Sequence, residues 1–168
     1  MTTPLTRLLY DGLMTPLTRN EAALWSKWKR ASEAVRARIV EEITAETGLS
    51  DPDFGVLTRV VEEGNGVLRQ NQLALSMGYH RSRLSHHLAR MEERGLVIRH
   101  QSGGGVEVAV TDHGRELEAQ ARPVHAAAVR RHLLRPLSTD EQVALGAILE
   151  KLLDPSRGNS GRLPTAPA

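Results

Sequence analysis

Cysteine is absent from the 168-residue chain. That absence excludes disulfides, thiol redox switching, thiolate zinc sites and cysteine nucleophiles together. Aromatics are scarce: two Trp, two Tyr and one Phe make up 3% of the residues. Leu, Val, Ile and Ala must therefore fill the core, a composition that favours helices over a sheet sandwich. No apolar run approaches the roughly 20 residues that a membrane helix needs, and the N-terminus lacks a signal-peptide core. The expectation is a soluble, cytoplasmic protein of one ordinary domain, without a membrane partner. Nor does one sign of charge dominate: 22 Lys+Arg stand against 20 Asp+Glu, a net +2. Any surface for nucleic acid has to be local.

The two ends read as extensions. Thr3-Pro4-Leu5-Thr6-Arg7 recurs unchanged as Thr15-Pro16-Leu17-Thr18-Arg19, the second copy led by Met14. The repeat is too short for a solenoid. Residues 1–19 are expected to form a weakly ordered arm, with Met14 an alternative start to Met1. Residues 154–168, with Pro155, Pro164 and Pro167 among Ser, Gly and Asn, are expected to be a disordered tail.

Between the ends the apolar period is mostly 3.6. Leu24, Trp28, Ala31, Val35, Ile39 and Ile43 form one stripe over residues 20–47, with Asn20 as N-cap and Gly48 as stop. A helix this long with a single stripe wants a partner. Ser50-Asp51-Pro52 opens a second helix, and two short helices follow near 69–76 and 80–94. The period then changes: Leu96–Ile98 and Val106–Val110 read as strands, joined by a turn over Gln101–Gly105. Thr111 caps a helix to about Leu134 that Pro123 should bend. Ser138-Thr139-Asp140-Glu141 is a capping-box match before a last helix. The fold class is mainly α with a small β-hairpin.

Leu73 to Val97 is the informative segment. Leu73-Ala74 on one short helix, Gly78 in the turn, and Leu84 and Leu88 on the next have helix-turn-helix spacing. Ala74 permits close approach, Gly78 supplies the tight turn, and Leu84, Leu88 and Met91 anchor the second helix. Its opposite face presents Arg81, Ser82, Arg83, Ser85, His86 and Arg90, residue types that read a major groove. The continuation Arg94-Gly95-Leu96-Val97 into a hairpin makes the motif a winged helix. Residues 69–100 carry six arginines (69, 81, 83, 90, 94 and 99) and two glutamates, a net +4, which leaves the rest of the chain at −2. An arginine-rich helix alone is as often a solvated face. Turn, hairpin and charge partition together favour double-stranded DNA, with Arg69 in the same basic segment.

Asn71-Gln72-Leu73-Ala74, Gly78, Arg81-Ser82-Arg83-Leu84-Ser85, Arg94-Gly95-Leu96-Val97 and Val108-Ala109-Val110-Thr111-Asp112-His113-Gly114 resemble the MarR family of transcriptional regulators. The resemblance covers about residues 20–153 and is strong from 71 to 114. It implies a winged helix over about 50–111, and a homodimer joined by interleaved helices at about 20–47 and 112–153. Each winged helix would read half of a palindromic operator, usually to repress. Two departures stand out. Where the family wing usually carries an Asp-x-Arg-type motif reaching the minor groove, this wing is Ser102-Gly103-Gly104-Gly105. Arg99 and His100, at its base, are then the wing cations in reach of phosphate. His86-His87 also departs from the usual pair there; His86 is expected to face DNA and His87 to pack inward.

Seven histidines invite a metal, but His125 and His132 are two turns apart, and His86 and His87 point to different faces. Solvated or capping histidines are the favoured reading, with no metal or cofactor. No nucleophile elbow or framed carboxylate pair is present, so an enzyme is not expected. Trp25 and Trp28 share a helical face. Packing is their default role; the sharper one, drawn from the family's habit of releasing DNA on binding small anionic aromatics, is a ligand pocket of Trp25, Trp28, Phe54 and Arg59. The alternative to a sequence-specific regulator is a nonspecific DNA-architectural or protein-interaction winged helix.

Overall fold

The computed structural model describes residues 15–154; of the arm expected over residues 1–19 and the tail expected over 154–168, residues 1–14 and 155–168 lie outside the described residues. Helices α1 (Arg19–Thr47), α2 (Asp51–Glu62), α3 (Gln70–Met77), α4 (Arg81–Glu93), α5 (Asp112–Val129) and α6 (Thr139–Leu153) are joined by strands β1 (Val67–Arg69), β2 (Val97–Ser102) and β3 (Gly105–Val110). The chain divides into two units, one ending at Ala37 and the other beginning at Arg38.

Local chemistry sets the helix starts. α1 begins two residues before an Asn20 cap would start it, because Thr18 is the cap. The Glu21 amide donates to Thr18 Oγ1 (3.3 Å), and the Thr18 amide donates to Glu21 Oε2 (2.8 Å). Ser50 and Asp53 form the same reciprocal box at α2, and Ser138 and Glu141 at α6. Thr111 caps α5 by accepting from the Gly114 amide at 2.9 Å. Each such cap contributes about 1 kcal/mol. In α5 the regular ladder gives way after Pro123, at Arg130–Leu134, where a π turn closes with the Arg135 amide on Arg130 O at 2.8 Å.

In the second unit an aliphatic core is complete. Leu49, Val56, Leu57 and Val60 meet Leu73 of α3, Leu84, Leu88 and Met91 of α4, and Val97 and Val108 of the strands, each at 1% exposure or less. Among the described residues no aromatic side chain is fully buried. Truncating any of these leucines to alanine should cost about 2–5 kcal/mol.

The sheet is antiparallel in the order β1-β3-β2. β1 was not foreseen in the sequence. The turn is also tighter than expected: Gln101 and Ser102 pair with Val106 and Gly105, leaving only Gly103-Gly104 between the strands. Alternation gives the sheet two faces. Leu68, Val108 and Arg99 form one cross-strand row on the core side, whereas Arg69, Glu107 and His100 form a row on the outer side.

Candidate nucleic-acid interface

α3 ends at Gly78 in the left-handed region (φ 64°), where the Tyr79 amide bonds back to Ala74 O at 2.9 Å. A Cβ there would be strained, so glycine permits the abrupt turn into α4. α4 then divides cleanly. Leu84, Leu88 and Met91 are fully buried, while Arg81, Ser82, Arg83, His86 and Arg90 are exposed and Ser85 is half-buried. The predicted reading residues therefore lie together on the outward side of one anchored helix. His87 packs inward, at 7% exposure.

His87 belongs to a brace that the sequence did not disclose. Its Nε2 lies 3.2 Å from Asp53 Oδ1, and Arg94 Nη1 donates to Asp53 Oδ2 at 2.7 Å. Arg94 also bonds Gly48 O through Nη2 at 3.2 Å. Burial alone would raise the Asp53 carboxyl, but hydrogen bonds from His87, Ser50 and Arg94 outweigh it and hold the group well below the usual carboxylate range. Arg90 Nη2 is 3.2 Å from His87 Nδ1. Arginine can only donate, so Nδ1 accepts and the ring hydrogen is left on Nε2, the atom beside Asp53. The start of α2 is thus tied to the middle and end of α4.

A second brace joins α4 to the wing. Arg99 Nη2 and Nε donate to Glu92 Oε2 at 2.8 and 3.1 Å, and the Arg99 amide donates to Glu92 Oε1 at 2.8 Å. The Arg99 side-chain hydrogen bonds hold the Glu92 carboxyl below its ordinary value. Arg99, expected toward phosphate, is on the core side of β2 with its guanidinium engaged. His100, on the outer side, has Nε2 3.2 Å from Glu107 Oε2. Arg83 stacks 4.3 Å over the Tyr79 ring centroid, which supports its long side chain beside the turn. Arg69 is exposed, at the end of β1, and makes no hydrogen bond or ion pair among the described residues.

The four proposed ligand residues fall in different settings. Trp25 and Trp28, in the unit ending at Ala37, are 55% and 43% exposed. On α2, Phe54 packs its ring 5.3 Å from that of His125, and Arg59 bonds Gly55 O at 3.0 Å. A cavity of about 410 Å³ in the second unit is lined by Glu42, Ala45, Glu46, Val124, Ala127 and Arg131, and includes none of the four. His132 Nε2 lies 2.6 Å from Glu42 Oε1. Among the described residues no three His, Asp or Glu gather as metal ligands, and no helix is long and apolar enough to cross a membrane.

Helix, turn, anchored helix and antiparallel hairpin define a winged helix-turn-helix. Residues 47–105 match the model of the MarR family, and the fold is that of solved MarR-family regulators. It is similar to AbsC, a MarR family transcriptional regulator from Streptomyces coelicolor (28% identity, TM-score 0.75, 87% of this chain and 100% of that one). Sco3205 from the same organism, solved in complex with DNA, is equally similar (28%, TM-score 0.75, 83% and 89%). The fold also matches the organohalide-sensing RdhR-CbdbA1625 regulator in its 2,4-dichlorophenol-bound form (20%, TM-score 0.70, 83% and 85%). No curated protein matches the sequence.

Proposed function

We propose that the chain is a MarR-family transcriptional regulator, a cytoplasmic homodimer acting on a palindromic operator as a repressor released by a small aromatic ligand and without enzymatic activity. The observation that carries the DNA reading is the two-sided α4. Three fully buried anchors fix it, and Arg81, Ser82, Arg83, His86 and Arg90 stand exposed on the other side. Arginine and histidine side chains so placed are suited to base edges and phosphates of a major groove. Sco3205, of 28% identity, was solved with DNA bound, which supports the same partner here.

Residues 50–111 would form the reading head, with α1 and the segment from Asp112 to Leu153 as dimerisation helices. Apolar exposure supports this division: Leu24, Trp25 and Trp28 on α1, and Val143, Ile148, Leu152 and Leu153 on α6, are 43–85% exposed in the single chain. A second copy is the simplest cover for them.

Fluorescence anisotropy on a selected duplex and on random DNA tests the reading. Preference for the selected duplex supports a regulator; equal affinity for both favours the nonspecific architectural alternative. For the ligand, a phenol is the first compound to try, because a protein of this fold holds one. An inducer that quenches tryptophan should lower operator affinity roughly 5- to 150-fold, with operator DNA weakening the ligand by the same factor. Trp25→Phe or Trp28→Phe should reduce that response while leaving ligand-free DNA binding intact. Full response in both variants would remove the tryptophans from the pocket.

A further inference from the structure

The arginines of the winged helix sort by whether another side chain already holds them. Arg94 is engaged by Asp53, Arg99 by Glu92, and Arg90 by His87. Arg69 and Arg81 have no hydrogen bond or ion pair among the described residues. Arg81 lines one cleft, and Arg69 lies against Gly104, another residue of its lining. A cleft of about 230 Å³ opens between the start of α3 and the wing turn, lined by Gln70, Asn71, Arg81, Gly104, Gly105 and Val106. The Arg69 guanidinium lies directly on the wing: a methyl group placed on Gly104 would sit 2.6 Å from Arg69 Cζ. The wing turn therefore carries an arginine that its own sequence lacks. Glu107, the cross-strand partner of Arg69, is occupied by His100 at 3.2 Å.

The surroundings favour an anion. Gln70 and Asn71 form the first turn of α3, whose N-cap, Arg69, makes no side-chain capping bond; His80 likewise makes none at α4, which begins with Arg81. At α3 the Gln72 amide is taken by Asn71 Oδ1 at 2.9 Å, so the first-turn amides left over at the two helix starts add to two unpaired guanidinium groups. Such donors suit a phosphodiester oxygen rather than a base edge, and the missing Cβ of Gly104 is what makes room for the Arg69 guanidinium.

We propose that Arg69, seated against Gly104, and Arg81 across the cleft grip one backbone phosphate of the duplex, so that an arginine outside the wing replaces the missing wing arginine. This rests on the DNA-binding reading above. It makes Gly104 a positioning residue, since its bare Cα lets the guanidinium lie where it does.

Four variants of the full-length protein test it: Arg69→Ala, Gly104→Ala, Gly103→Ala and the Arg69→Ala/Gly104→Ala pair. Neither glycine has a positive φ, so alanine strains no backbone, and a Cβ on Gly103 would meet nothing within 4 Å. Arg69→Ala should weaken binding on the order of tenfold, on selected and random duplex alike. The slope of log affinity against log salt should become shallower by about 0.9 per bound chain. Gly104→Ala should lose affinity in the same direction, Gly103→Ala should not, and the pair should bind like Arg69→Ala alone. Unchanged binding and salt slope for Arg69→Ala, or additive losses in the pair, would overturn the proposal while leaving DNA binding intact. Failure of the wild type to bind any duplex would overturn both. Saturable submillimolar binding of inorganic phosphate to the DNA-free wild type, abolished in Arg69→Ala, would make the cleft an effector site and also overturn it.

Discussion

The winged helix and the two flanking helices solve burial in opposite ways. From Leu49 to Val110 most apolar side chains meet one another, with Val67, Leu75 and Ile98 exposed, and a dozen large ones among the described residues are fully buried. α6 has no buried residue, and α1 is exposed at every position up to Val35 except that one, which is half-buried. The first region is closed, with Ile43 of α1 and Ala121 of α5 joining its core; the second presents an unfinished apolar surface. In the proposed dimer, stability of the reading head would be a property of one chain, whereas that of the flanking helices would depend on concentration.

Breaking the unfinished surface should have the largest effect. Trp28→Glu combined with Leu152→Glu should turn a dimer into monomers, at a cost on the order of 6 kcal/mol because each change occurs twice in a symmetric interface. Sedimentation equilibrium checks this; a wild-type protein that is a folded monomer at micromolar concentration would erase the contrast.

Inside the finished region, Asp53→Asn should cost roughly 3 kcal/mol in urea unfolding, since it leaves His87 and Arg94 facing a neutral amide. The Asp53 carboxyl is depressed in the folded state, so its contribution is complete above its ordinary value of 3.8 and is lost as the pH falls below that. Wild-type stability should therefore decline on acidification, and the Asn variant should decline less. Equal acid sensitivity in both would remove Asp53 from the brace.

Reading effects should be smaller. Arg83→Ala or His86→Ala should weaken a selected operator by about 1–3 kcal/mol and random DNA much less. Least of all, Arg99→Ala should cost about 1 kcal/mol on either DNA. Glu92→Gln separates its two possible causes. If Arg99 acts by holding the wing to α4, Glu92→Gln should also weaken binding; if it acts on phosphate, freeing it should strengthen binding.

Most of the reading head was legible because its signals are local. Gly78, the buried Leu84–Leu88–Met91 stripe, the Ser50, Thr111 and Ser138 caps and the alternation of Val106–Val110 each act within a few residues. What escaped was long-range. β1 is three residues long, too short to show a period, and exists through its pairing with Ala109, Val108 and Glu107. Asp53 meets Arg94 across 41 positions, and Arg69 reaches Gly104 only once the sheet has formed. The start of α1 was legible but misread: Thr18 and Glu21 have capping-box spacing, and Asn20 drew attention because it is also a good cap by type.

The most direct test of the central claim is selection of bound duplexes from a random pool by the purified full-length protein, with the stoichiometry of the winning site measured by sedimentation. The account predicts an enriched inverted repeat, its half-sites about one helical turn apart, bound by two chains. A pool that stays unenriched, or an asymmetric site bound by a single chain, would contradict it.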